Sequence, residues 1–181
     1  KAVELAPKSS EREQALIGAL TKRFASSDPN SDWKQFHAGY SAAMREVVKK
    51  YPDDVDAAVL FAESLMMLRP WQLWTLDGAP AQGTIELVAV LESVLKRNPD
   101  HPGANHFYIH AVEASPNLER AIPSALRLMT LVPGAGHLVH IPGHIFHSMR
   151  HRRDAQIGPM GNQVRQQGLG KVGDTRQPLS R

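Results

Sequence analysis

The chain has 181 residues, 42% hydrophobic and 22% charged, a balance that fits a soluble globular domain or a short array of repeats. It has no cysteine, which excludes disulfides and thiolate metal sites, and no apolar run near the roughly 20 residues of a membrane helix. The net charge of +3 hides an uneven split: residues 150–181 carry seven Lys/Arg against two acids, the other 149 residues are net −2, and no basic face interleaved with aromatics points to nucleic acid.

The chain starts at Lys1, with no initiator Met, inside what reads as the tail of a helix, and is expected to be an internal fragment of a longer protein. The first full helix is predicted over Glu11–Phe24, with Ala15, Leu16, Ala19, Leu20 and Phe24 at helical spacing and Ser9 or Ser10 as its cap. A turn-rich break over Asp28–Asp32 leads to a second helix from about Trp33 or Phe36 to Lys50, ended by Pro52. A third covers about Val55–Leu68. The segment 69–83 (RPWQLWTLDGAPAQG) has no helical period and reads as an inserted loop. Helices then follow over Thr84–Arg97, with Thr84 as cap, over Pro102–Glu113, over Asn117–Leu131 and over about Gly136–Arg150. No strand alternation occurs. The fold expected is all-α.

Pro52, Pro99 and Pro133 mark the ends of successive helix pairs, at intervals of 47 and 34 residues, and the 13 extra residues of the first interval match the inserted loop. Ala57 and Ala104 both lie five residues after their Pro, and Ala121 and Ala155 are 34 apart. In this register His106 and His140 are both at plus seven from the Pro, and His110 and His144 both at plus eleven. Glu63 occupies plus eleven one repeat earlier, Glu113 and His147 plus fourteen, and His137 plus four. After Gln156 almost no apolar residue remains, so residues 156–181 are expected to form a disordered tail and residues 1–155 the helical domain.

The stretches YPDDVDAAVLFAESLMMLRPWQLWTLDGAPAQGTIELVAVLESVL, NPDHPGANHFYIHAVEAS and VPGAGHLVHIPGHIF resemble a group of bacterial tetratricopeptide-repeat (TPR) proteins. A TPR unit is 34 residues, two antiparallel helices that stack on their neighbours. The resemblance covers about residues 10–155 and implies an α-α solenoid of about three helix pairs. It further implies a groove that binds a ligand or a protein or peptide partner, and a bacterial cytoplasmic or periplasmic location. The histidine offsets would then lie on first helices, facing that groove.

Histidines four apart share one helix face. His106, His110 and Glu113 offer three donors from one helix, and His137, His140 and His144 three more from the next. Neutral imidazole is the commonest metal ligand, and such a set admits Zn, Cu, Fe or Ni. The competing reading is a polar groove of neutral histidines bonded to carbonyls and acids. Pro142 should kink the last helix and alter the second set. Glu63, inside the apolar run AAVLFAESLMML, needs a partner: a histidine of the groove, or Arg69. Trp71 and Trp74 read as plugs of the loop rather than a lid, and Met66 and Met67 as core filler. His147 and His151 read as surface residues, His101 as turn chemistry, and His37 carries no signal. Three functions stay open: a partner-binding scaffold, a metalloprotein or metal-dependent enzyme, and a structural solenoid segment.

Overall fold

The computed structural model describes residues 1–153, and among these every regular element is helical. The expected tail beyond Gln156 lies outside them. The chain divides into two compact units, residues 1–145 and 146–181.

In the first unit, a short helix α1 (Ala2–Leu5) precedes α2 (Glu11–Arg23). Ser10 caps α2 through a reciprocal box: its hydroxyl accepts from the Glu13 N–H while the Glu13 carboxylate accepts from the Ser10 N–H. Asp32 caps α3 (Trp33–Lys50), and Asp54 caps α4 (Val55–Met67) by accepting from the Ala57 N–H at 3.0 Å. Helix α5 runs Thr84–Arg97, α6 Pro102–Val112, α7 Ile122–Leu131 and α8 Gly136–His140. A tight helical turn, Leu118–Ala121, leads into α7.

Each helix from α2 to α8 packs on the next, and α4 also touches α6. Ion pairs join every second helix as well: Arg23 of α2 to Glu63 of α4, and Arg45 of α3 to Glu86 of α5. The core is the shared seam of these helices, with Met44, Leu87, Leu91, Ile109, Leu128 and Ile145 fully buried. Each such side chain contributes about 1.5–3 kcal/mol of transfer free energy.

Two helix starts differ from expectation. Thr84 does not cap α5; the cap position is Gly83, at φ +88°, a left-handed conformation that suits glycine. The Thr84 hydroxyl is buried and instead donates to the Leu73 carbonyl at 2.8 Å, tying the loop to α5. The last predicted helix is broken: α8 ends at His140, Ile141 is a turn, and helical turns resume at 142–145. Pro142 sits in the first turn of the resumed segment, where its missing N–H costs no hydrogen bond.

Residues 68–83 contain no helix and form a small hairpin with one bridge, between Trp74 and Pro80. Two contacts pin it to the end of α6. The Trp74 indole N–H donates to the Ala111 carbonyl at 2.7 Å. Gly78, at φ +84°, lies so close to Pro116 that a Cβ there would sit 2.6 Å from its Cγ.

In the second unit, residues 146–153 are helical, and His147 and His151 bring their Nε2 atoms to 3.0 Å one turn apart.

Candidate metal centre

Helix α6 is held firmly. His101 is its cap: Nδ1 accepts from the Ala104 N–H at 3.2 Å, and Nε2 faces Asp56 of α4 at 3.0 Å. That ring serves structure in a specific way, as the turn chemistry expected. The α6 residues Asn105, Tyr108, Ile109 and Val112 are buried, and the Tyr108 hydroxyl donates to Glu92 of α5 at 2.6 Å. What remains on the other face is His106, Phe107 and His110, with Glu113 at the helix end.

His106 and His110 lie one turn apart, ring centroids 4.9 Å apart. His137 of α8 reaches across so that its Nε2 is 3.2 Å from Nε2 of His106. One ring nitrogen from each of His106, His110 and His137 lies within 4.8 Å of the others. Two nitrogens about 2.0–2.1 Å from a tetrahedral zinc stand about 3.3–3.4 Å apart, so the 3.2 Å pair already has ligand spacing. The other pairs, within 4.8 Å, need to close by no more than about 1.4 Å.

A second trio, His110, Glu113 and His144, shares His110 with the first. Glu113 uses both oxygens: Oε1 is 2.9 Å from Nδ1 of His110, and Oε2 is 2.8 Å from Nδ1 of His144. Burial alone would raise the Glu113 carboxyl, but the hydrogen bonds from His110 and His144 outweigh it and hold it below its ordinary value. An ionised carboxylate can only accept, so both Nδ1 atoms carry protons. In neutral rings, Nε2 of His110 and of His144 then keep free lone pairs. This is the carboxylate–histidine arrangement that orients metal ligands.

Burial, and after it the neighbouring His110 and His137, lowers His106 to about 4. At neutral pH His106 is therefore uncharged and keeps a nitrogen lone pair for coordination.

Five of the six proposed ligands thus come together: His106, His110, Glu113, His137 and His144. His140 does not join either trio. It is exposed, and its ring meets that of His144 edge-on with centroids 5.2 Å apart. That separation is close to the 4.9 Å between His106 and His110, and Ile141 keeps helical φ/ψ of −53° and −39°, so the break does not part these two rings. Across the interface the pairings are His106 with His137 and His110 with His144.

Glu63 also lies elsewhere. Its partner is Arg23 of α2, at 3.2 Å, and neither of the partners expected for it. Arg69 instead donates to the Gln82 side chain at 3.0 Å and to its carbonyl at 3.2 Å.

One feature escaped the sequence. A cleft of about 300 Å³ lies beside the second trio, between the start of the hairpin and α6, and His110 and Glu113 form part of its wall. Met66 and Met67, read as core filler, line it. Trp74 plugs the loop as expected, but Trp71 does not: it is 86% exposed, with its ring edge-on to His110 at 6.1 Å. The cue available was the density of Trp, Pro and Gly in one short insertion.

No protein family, curated protein or solved structure matches this chain.

Proposed function

We propose that this protein is a TPR-like helical-repeat protein that binds a divalent transition metal through His106, His110 and His137, with Glu113 orienting His110 and His144. The observation that carries the reading is the approach of His106 and His137 through Nε2 at 3.2 Å, close to the spacing of two ligands on one ion, beside a His110 whose Nδ1 is fixed by Glu113. A polar groove of neutral histidines would account for the bonds of His110 and His144 to Glu113 but does not call for two rings turned Nε2 to Nε2.

Three imidazoles around a tetrahedral ion leave one position open, the pattern of catalytic rather than closed structural zinc sites. Cu, Fe and Ni remain chemically admissible with the same donors. The second reading, a metal-dependent enzyme, draws support from the cleft that meets the centre at His110 and Glu113. On that reading the repeat scaffold takes a small molecule rather than an extended peptide.

The test is metal content. Protein reconstituted with zinc and desalted should hold about one equivalent by elemental analysis, and His140→Ala should hold as much. Zinc that washes away entirely from the wild type, with no other first-row metal retained, would end this reading.

A further inference from the structure

We propose that the cleft between residues 66–74 and α6 binds a flat aromatic small molecule, about the size of two fused rings, carrying a hydroxyl that faces His110 and Glu113. The walls set the class. Met66, Met67, Leu73, Trp74 and Phe107 supply soft thioethers, an aliphatic chain and two π faces. Size follows from volume: an apolar cavity of about 150 Å³ accommodates benzene, so about twice that takes a bicyclic ring system.

Trp71 is the second observation. A tryptophan 86% exposed at the lip of an apolar cleft gains little from its position in the free protein. Its backbone is also held at φ +62°, a left-handed conformation that costs an L side chain strain. The hairpin is anchored just beyond it, by Trp74 on Ala111 and Gly78 against Pro116, so Trp71 is held over α6 by its neighbours rather than by packing of its own ring. A planar ligand in the cleft gives that ring a partner to stack on.

Polar recognition acts at Glu113, because the other charged residue of the wall, Arg69, is already held by the Gln82 carbonyl and side chain. Each Glu113 oxygen accepts one imidazole N–H and keeps a lone pair, so a ligand hydroxyl can donate to it. An acidic or strongly anionic head would meet the carboxylate and be repelled. The occupant is therefore a neutral phenol-like molecule.

The experiment is isothermal titration of 2-naphthol into EDTA-treated protein, so that failure of the metal reading does not decide this one. A Kd on the order of 0.1 mM is expected for a ligand of this size. Trp71→Ala, which opens no core, should weaken binding about tenfold. Ala114→Trp fills the cleft from its rim without altering His110 or Glu113, and should abolish binding while circular dichroism stays that of the wild type. Decan-1-ol, more apolar but not flat, should nonetheless bind at least about tenfold more weakly than 2-naphthol. No binding by the wild type up to the solubility limit overturns the site. Affinity close to wild type in either variant overturns its location, and equal affinity for decan-1-ol overturns its shape.

Discussion

Glu63 and Glu113 are almost equally buried, their side chains 17% and 18% exposed, yet they are neutralised in opposite ways. Glu63 lies in the α2–α5 segment, where guanidinium partners prevail: Arg12 with Asp54, Arg23 with Glu63, Arg45 with Glu86. Glu113 closes α6 and takes two imidazoles, His110 and His144. A guanidinium never loses its charge and offers no lone pair, so the Arg23–Glu63 pair is chemically closed. An imidazole that gives its Nδ1 proton to a carboxylate still has Nε2 to offer. The difference teaches that one fold solves the same desolvation problem twice, once with a partner that is always charged and once with partners that keep a nitrogen lone pair.

The sharpest way to break this contrast is His110→Ala, which removes the residue common to both trios. Zinc affinity by competition with a chromophoric chelator should fall by about 100-fold or more, while α2–α5 is unaffected. Glu113→Gln leaves the imidazoles in place but no longer fixes their tautomers, and should weaken zinc by about 10–100-fold in the same assay. An unchanged affinity would show that Glu113 does not orient the ligands. Glu63→Gln is the converse: urea denaturation should show a loss of about 1–3 kcal/mol with zinc affinity unaltered. A drop in metal binding there would mean that the two regions are not separable.

The smallest effect expected is a pH slope. In the metal-free protein the folded-state value of His106, about 4, lies below its unfolded value near 6.5, so between these the unfolded chain binds more protons. Stability therefore rises with pH across that window and is lost as pH falls through it. Glu113 acts in the same direction, since its lowered value stabilises the folded state above the ordinary carboxyl range and this is lost on acidification. Urea midpoints at pH 7 and pH 5 should show this loss, and His106→Gln should shrink it. An equal slope in the variant would assign the acid sensitivity to other groups.

Most helices were legible because their determinants are local. Ser10 and Glu13, Asp32 and Asp54 act within three residues, and the apolar stripe of Thr84–Arg97 repeats at the helical period. The histidine cluster was legible for the same reason, since four-residue spacing needs no tertiary knowledge. Thr84 departs from its local signal as a cap because its buried hydroxyl finds an acceptor in Leu73, eleven residues away. Arg23 as partner of Glu63 was hidden by forty residues of chain.

By itself, then, the sequence settled where most of the helices lie, that cysteine is absent, and that imidazoles recur on one face of α6. Only the tertiary structure decided that His137 rather than His140 meets His106, because that contact joins residues 31 apart in the chain. It alone placed Trp71 over His110, through a hairpin whose anchors, Ala111 and Pro116, lie on and just beyond the end of α6. Helical period and capping act over a few residues, whereas convergence across about thirty residues depends on how two backbones are phased and pinned.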